Sequence, residues 1–192
     1  MDHSDSGSAA DLAANIAQSE GRVSVLVNNV GRRHNDLIGE FEQATLQDTL
    51  SLNVASPLLV TSALLELFDP DGGAIINISS RLANVGMPGV SVYAATKGAL
   101  NSFTKAAAIE LAPRNIRVNA VAPGMARTAM IDDWLREQPN PEEALNTTLR
   151  DIPLGRLAET GDIAAVVGFL ASDQASYLTG TVIPVDGGYT AA

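Results

Sequence analysis

Four short apolar runs, separated by segments with helical periodicity, restrict the possible folds of this 192-residue chain more than any other feature. The first run is continuous rather than alternating, which is typical of a strand covered on both faces. The four predicted strands are Val23–Val27, Ala74–Ile78, Arg117–Ala122 and Thr181–Val185. Because strands and helices alternate along the chain, we predict an α/β fold with a parallel sheet and right-handed crossovers.

Apolar and small residues recur at intervals of three and four between these strands, which predicts the connecting helices. Pro113 ends the third helix, because proline lacks a backbone N–H and clashes with the preceding turn. Thr160 or Asp162 is the predicted N-cap of the last helix. The predicted helices cover residues 8–19, about 45–67, 90–112 and 162–170. A chain of this length is expected to form a single domain, residues 1–192.

Composition excludes several classes of function. The formal net charge of −10 argues against a nucleic-acid partner, because phosphates require a basic surface. The absence of cysteine excludes disulfide bonds, a cysteine nucleophile and thiolate metal ligands. His3 and His34 stand alone in the sequence, so we predict neither a metal site nor a Ser-His-Asp triad. Ser80 also lacks the Gly-x-Ser-x-Gly turn of serine hydrolases.

The first residues are polar and acidic and do not resemble a secretory signal, so we predict a cytoplasmic protein without a membrane partner. The most apolar stretch, Leu50–Phe68, contains Asn53, Pro57 and Glu66. These three residues favour a buried or interface helix over a segment that spans a membrane.

Tyr93 and Lys97 are four residues apart on the third predicted helix, so their side chains lie on one face. A phenol with its usual pKa near 10 is a poor proton donor or acceptor at neutral pH. An adjacent ammonium group favours the phenolate, and lowering the phenol pKa by about 3 units requires about 4 kcal/mol. Ser80 follows a predicted strand, at the sheet edge where α/β proteins bind ligands. The alternative is a half-buried tyrosine and a solvated lysine that share a helix by chance.

Three short motifs carry a resemblance to one enzyme family. Ser80 and the segment Tyr93–Lys97 (YAATK) resemble the active-site signature of the short-chain dehydrogenase/reductase family, a serine followed by Tyr-x-x-x-Lys. Asn28–Gly31 (NNVG) resembles the family's Asn-Asn-Ala-Gly motif, in which Val30 replaces alanine and is expected to crowd the adenosine side of the cofactor. Pro123–Thr128 (PGMART) resembles the family's Pro-Gly motif and the threonine that contacts the nicotinamide.

The resemblance implies a Rossmann-like, doubly wound parallel sheet and an oxidoreductase that uses NAD or NADP. Its substrate is then a small carbonyl or alcohol molecule, and its reaction interconverts a secondary alcohol and a ketone by hydride transfer. The implied catalytic acid/base is Tyr93, and Lys97 is implied to lower the tyrosine pKa and to bind the nicotinamide ribose. Ser80 is implied to orient the carbonyl, and Asn53 to anchor a relay water. The implied cofactor-binding residues are Asn28, Asn29, Gly31, Tyr93, Lys97, Pro123, Gly124 and Thr128.

Pro57 lies four residues after Asn53 inside a predicted helix, and proline has no N–H to donate. We therefore predict that the Asn53 carbonyl oxygen lacks its helical partner and is free to bind the relay water. The alternative is a helix that begins at Pro57, where a missing N–H costs nothing.

Further implications of the resemblance concern the substrate and the assembly. Residues 125–152 correspond to the family's substrate lid, a mobile helical segment in which Met130 and Trp134 either line the substrate pocket or pack beneath the lid. The resemblance is to members of the 3-oxoacyl-ACP reductase and glucose dehydrogenase types. It also implies a homo-oligomer, a tetramer or dimer, built from the two long helices near 46–67 and 91–111.

The resemblance extends only to the later part of the family's fold, so we predict an N-terminally truncated sheet that lacks the first βαβαβ half. No Gly-x-Gly-x-x-Gly turn, which would hold a pyrophosphate at a helix N-terminus, occurs in the chain. Asp2 matches the acidic residue after the family's third strand, and the strand Val23–Val27 is expected to have an open apolar edge. The alternative function is therefore a catalytically silent remnant that serves in oligomerisation or regulation and binds no dinucleotide.

Overall fold

The computed structural model describes residues 6–191, and four parallel strands form its sheet. The strands are β1 (Val25–Asn28), β2 (Gly73–Ile78), β3 (Ile116–Pro123) and β4 (Val182–Val185). They lie in the order β1-β2-β3-β4, and every neighbouring pair is parallel. This arrangement confirms the predicted α/β fold with a parallel sheet. Asp2 and His3 lie outside the described residues.

Seven α-helices are present in the described part of the chain, and they confirm the four predicted helical segments. They are α1 (Ser6–Ser19), α2 (Gln43–Leu50), α3 (Ser56–Leu64), α4 (Ser91–Leu111), α5 (Ala129–Arg136), α6 (Pro141–Arg150) and α7 (Thr160–Ala171). The predicted N-cap of α7 is wrong, because Glu159 rather than Thr160 or Asp162 holds that position. The Asp162 carboxylate lies in the first turn and accepts a hydrogen bond from the Glu159 N–H at 2.8 Å.

Helices cover both faces of the central strands. On one face, Ile75 and Val118 pack against Leu111 of α4. On the other face, Ile76 and its neighbours pack against Leu170 of α7. Consecutive side chains of a strand point to opposite faces, so a strand buried on both faces must be continuously apolar. This packing explains why the apolar runs predicted the strands, and it is the doubly wound arrangement that the resemblance implied.

The edge strand β1 is covered on one face only. Leu26 packs with the cluster formed by α1 and α3. On the opposite face, Val25 and Val27 are each 41% exposed. Within residues 6–191 the strand pairs only with β2, so one row of its backbone groups has no neighbouring strand in that range. The predicted open apolar edge is therefore present in the structure.

One long apolar helical region runs from Gln43 to Leu67 and includes α2 and α3. Its length and composition are sufficient to cross a membrane, but core helices of soluble proteins meet the same criteria. Leu50 and Leu59 on this region and Ile109 on α4 are exposed apolar residues. These are the two helices predicted to form a homo-oligomer interface, and the oligomer stays a prediction.

Candidate active site

The carboxyl ends of the strands open into a cavity of about 680 Å³. This is the edge at which open parallel sheets bind ligands, and its volume is typical of a small-molecule or cofactor site. Eight of the ten predicted site residues line the cavity: Asn29, Gly31, Ser80, Tyr93, Lys97, Pro123, Gly124 and Thr128. Asn28 and Asn53 do not line it. The fold thus brings together residues that come from four separate segments of the sequence.

Lys97 is a buried cation in the wall of this cavity. Its side chain is on α4, and the residue is only 3% exposed. Its Nζ donates a hydrogen bond to the Ile78 carbonyl oxygen at the end of β2, at 2.7 Å. Burial disfavours the charged amine and lowers the Lys97 pKa to about 8. The ammonium form therefore predominates at neutral pH and is lost as the solution becomes mildly alkaline.

The low pKa of Lys97 predicts how stability depends on pH. The usual lysine pKa is 10.5, so between about pH 8 and 10.5 the unfolded chain binds more protons than the folded chain. Stability should therefore increase as pH rises through this window, by up to about 1.4 kcal/mol per pH unit. The increase should be absent in Lys97→Met and retained in Lys105→Met, which alters an exposed lysine of the same helix. Urea unfolding at pH 7.5, 8.5 and 9.5 measures this, and an equal slope in wild type and Lys97→Met would contradict it.

Tyr93 also lines the cavity, and its ring centroid lies 5.7 Å from Lys97 Nζ. Burial raises the pKa of the Tyr93 phenol, and the Ser80 hydroxyl and the positive charge of Arg33 oppose this rise only in part. The Tyr93 pKa is thus raised rather than lowered, and burial is the largest cause of the shift for both Tyr93 and Lys97. That Lys97 lowers the Tyr93 pKa stays a prediction.

Ser80 lies two residues after the end of β2 and is the N-cap of a short 3₁₀ turn, Arg81–Ala83. Its Oγ accepts a hydrogen bond from the Leu82 N–H at 3.2 Å, which fixes the hydroxyl toward the cavity that Tyr93 also lines. The preceding Ser79 donates its hydroxyl to the Lys97 carbonyl oxygen at 3.2 Å. Ser79 therefore connects the end of β2 to α4.

Asn53 is buried behind the cavity and braces the loop that follows β1. Its Oδ1 accepts a hydrogen bond from the Arg32 N–H at 2.8 Å, and its Nδ2 donates to the Arg32 carbonyl oxygen at 2.8 Å. The same Nδ2 donates to Thr96 Oγ1 on α4 at 3.1 Å. The side-chain amide is thus engaged with the protein, which leaves the backbone carbonyl as the group that would bind a relay water.

The helix around Asn53 is locally widened. Ser51–Ala55 forms a π-helix, in which the Ser56 N–H donates to the Ser51 carbonyl oxygen. Helical backbone continues through Ala55 into α3, so the alternative that a helix begins at Pro57 is wrong. Since Pro57 has no N–H, the Asn53 carbonyl oxygen cannot form the usual bond to the residue four positions later. Its use as a water ligand stays a prediction.

Asn28 has a bracing position in the structure rather than a place in the cavity wall. Its Nδ2 donates to Asn77 Oδ1 at 2.8 Å and to Thr61 Oγ1 at 3.2 Å. Asn77 in turn donates to Thr104 Oγ1 on α4 at 2.9 Å. Val30, which was expected to crowd the cofactor, is 52% exposed and does not line the cavity.

Two glycines give the cavity its depth. A Cβ at Gly31 would lie 3.3 Å from both Asn53 Oδ1 and Lys97 Nζ. A Cβ at Gly124 would lie 2.8 Å from the Asp186 Cα. A ligand can therefore approach the backbone at Gly31 only because this position has no side chain.

The predicted lid segment, residues 125–152, forms α5 and α6 beside the cavity. Met130 lines the main cavity and also a smaller one of about 140 Å³, which Trp134 lines as well. Ser80 and Tyr93 belong to the walls of both cavities, so the smaller cavity adjoins the main one at these two residues. The opening and closing of the segment stay a prediction.

Two arginines near the site were not among the residues predicted from the sequence. Arg81 follows Ser80 directly, and Arg33 is two residues after Gly31. Both line the smaller cavity. Their proximity to the two recognised motifs was the available signal, but only the fold shows that they face the same space.

A family model described as enoyl-(acyl carrier protein) reductase matches residues 1–190. The chain belongs to the short-chain dehydrogenase/reductase family. Members of this family are oxidoreductases, and the match agrees with the motifs at Ser80, Tyr93 and Lys97.

Relatives of this short-chain dehydrogenase/reductase have names that indicate diverse activities. The 3-oxoacyl-(acyl-carrier-protein) reductase FabG of Thermotoga maritima is 39% identical over 179 residues, which are 93% of this chain and 70% of that protein. Cyclopentanol dehydrogenase of Comamonas sp. is 40% identical over 177 residues, 92% of this chain and 69% of the relative. The crystal structure of a blue fluorescent protein from a metagenomic library, in complex with NADPH, matches with a TM-score of 0.88 and 35% identity. The match covers 98% of this chain and 73% of that protein's chain.

Proposed function

We propose that this chain is an NAD(P)-dependent oxidoreductase that interconverts a secondary alcohol and a ketone. The observation that carries the proposal is the convergence of Ser80, Tyr93 and Lys97 on one cavity at the carboxyl edge of the sheet. The names of the relatives, a 3-oxoacyl-(acyl-carrier-protein) reductase and a cyclopentanol dehydrogenase, support a carbonyl or alcohol substrate.

We infer that Tyr93 is the proton donor in the direction of reduction. Burial keeps its phenol protonated at neutral pH, and a carbonyl oxygen that becomes an alkoxide beside it is basic enough to take that proton. The Ser80 hydroxyl, on the same cavity wall, holds the carbonyl oxygen beside the phenol. A bound nicotinamide cofactor supplies or accepts the hydride in this chemistry.

Lys97 stabilises the phenolate that remains after Tyr93 has given up its proton. Its ammonium group is held by the Ile78 carbonyl oxygen and faces the space beside Gly31. In a site that excludes water, a fixed positive charge favours the developing anion more strongly than it would in solution. Asn53 keeps the loop at Arg32 in place, and its backbone carbonyl oxygen positions the water that returns the proton.

The residues of the cavity fit the nicotinamide and ribose part of NAD or NADP. Asn29 and Thr128 offer polar groups, Gly31 and Gly124 allow close approach, and Lys97 offers a cation. The pyrophosphate would lie toward the open edge of β1. Within residues 6–191, no glycine-rich turn between a strand and a helix lies at this edge.

Cofactor titration tests the proposed function. We expect saturable binding of NADH or NADPH to the 192-residue chain, followed by cofactor fluorescence and calorimetry. Gly31→Val should weaken binding at least tenfold, because its side chain would occupy the space beside Lys97 Nζ and Asn53 Oδ1. Gly98→Ala is the matched control, since a Cβ at Gly98 meets no atom within 4 Å.

Circular dichroism of both glycine variants separates loss of binding from loss of folding. The absence of saturable binding at millimolar cofactor would overturn the proposal for this chain and would support the silent remnant instead.

A further inference from the structure

The smaller cavity of about 140 Å³ contains two arginines that the proposed proton transfer does not use. Arg33 comes from the loop after β1, and Arg81 comes from the 3₁₀ turn after β2. Ser80 and Tyr93 line the same cavity, so the guanidinium groups lie on the side from which a substrate reaches the reacting groups.

Arg81 is a buried cation with an unfilled hydrogen-bonding position. The residue is 5% exposed, and its Nη1 is buried without a hydrogen-bond partner. Its guanidinium carbon lies 3.6 Å from the centroid of the Tyr189 ring, which holds the group in a fixed orientation. Buried N–H donors in folded proteins normally have an acceptor, and Arg81 Nη1 has none among the described residues.

Arg33 is half-buried and partly engaged. Its Nε donates to Asn35 Oδ1 at 2.9 Å. Burial is the largest cause that lowers the pKa of Arg33, and the positive charge of Arg81 lowers it further, whereas Tyr93 and Glu137 raise it. Two like charges in one small space are unfavourable unless an anion lies between them.

The described acidic residues around the cavity do not form ion pairs with Arg33 or Arg81. Asp151 lines the cavity, and Glu137 and Asp186 influence the arginines at longer range. None of the described carboxylates forms an ion pair with Arg33 or Arg81. Asp186 instead accepts hydrogen bonds from the Gly188 N–H and from Thr190.

We propose that this cavity binds a carboxylate of the substrate, so that the substrate is a short oxo acid or hydroxy acid. This assignment rests on the proposed function. The carbonyl lies at Ser80 and Tyr93, and the carboxylate lies between the guanidinium groups, which recognise a carboxylate through paired N–H donors. The remaining wall is largely apolar and suits a short carbon chain between the two ends; it includes Leu82, Met87, Met130, Ile131 and Trp134.

The test uses Trp134, which lines the cavity and is the only tryptophan of the chain. The probes are 4-oxopentanoate and its neutral methyl ester, titrated while tryptophan fluorescence is recorded. We expect the acid to bind at least tenfold more tightly than the ester. Arg33→Gln and Arg81→Gln should each weaken binding of the acid at least tenfold and leave binding of the ester unchanged. Arg136→Gln, an exposed change on α5, should alter neither.

The outcomes separate this inference from the proposed function. Equal affinity for acid and ester, or acid binding that neither arginine variant weakens, overturns the carboxylate site. If Arg81→Gln fails to fold, the variant Arg33→Gln, which changes a half-exposed residue, still decides.

Reduction of neutral ketones without a preference for the acid leaves the proposed function standing and removes this inference. Acid binding that depends on the arginines, without any cofactor-dependent turnover, supports the carboxylate site and removes the proposed function. Inorganic phosphate that displaces the acid with equal affinity would overturn the assignment to a carboxylate.

Discussion

Tyr93→Phe should lower the turnover of ketone reduction by about a thousandfold while leaving the fold intact. The substitution removes one hydroxyl group, the proton donor of the proposed mechanism, and general acid catalysis contributes about 100- to 10,000-fold to a rate. The ring itself remains, so the packing of α4 against the cavity is preserved. Turnover is measured by the absorbance of the reduced cofactor at saturating ketone, and cofactor affinity is measured separately.

The chain offers a matched control for this change. Tyr177→Phe removes the same hydroxyl from a fully exposed tyrosine remote from the cavity lining, and its turnover should equal that of wild type. Ser80→Ala should cause a smaller loss than Tyr93→Phe, since it removes a positioning hydroxyl rather than the proton donor. A Tyr93→Phe enzyme with more than a tenth of wild-type turnover would exclude Tyr93 as the acid.

Burial explains which strands the sequence located well. The predicted strand Ala74–Ile78 differs from β2 (Gly73–Ile78) by one residue only. The prediction is good because helices on both faces of β2 require a continuous apolar run, which the sequence shows directly. Strand β1 is Val25–Asn28 rather than Val23–Val27. As an edge strand it is held by one neighbour only, so its ends depend on the local contacts that apolar patterning does not encode.

The spacing of Tyr93 and Lys97 predicted their common face correctly but not their electrostatics. A four-residue separation on a helix places two side chains on one side, whatever surrounds them. The sign of a pKa shift depends on how much water reaches each group, and this is a property of the assembled site. In this structure burial raises the Tyr93 pKa and lowers the Lys97 pKa to about 8.

The arginine pair shows a second limit of sequence reasoning. Arg33 and Arg81 are far apart in the chain and follow different strands. They meet because β1 and β2 are parallel neighbours whose carboxyl ends lie at the same sheet edge. No local pattern marks such a pair, whereas the motif residues beside them are marked by their fixed spacing.

The largest expected effect on stability comes from a glycine at the amino ends of the central strands. Gly72 has φ +109°, and a Cβ at this position would lie 2.1 Å from the Asn115 carbonyl oxygen. Gly72 precedes β2 and Asn115 precedes β3, so the two turns touch through their backbones where the central strands begin. Neither turn can move without disturbing the pairing of these strands, in which Gly73 lies opposite Ile116.

Gly72→Ala should therefore lower the free energy of unfolding by about 2–6 kcal/mol. Backbone strain at a positive φ accounts for about 1–3 kcal/mol of this loss, and the forced contact with Asn115 for about 1–3 kcal/mol more. Gly21→Ala is the control, because Gly21 also has a positive φ but a Cβ there meets no atom within 4 Å. Urea unfolding should show only the strain component in Gly21→Ala, and equal losses in the two variants would contradict the close contact between the turns. Since folded domains are typically stable by only about 5–15 kcal/mol, Gly72→Ala is expected to leave a measurable unfolded population at 37 °C.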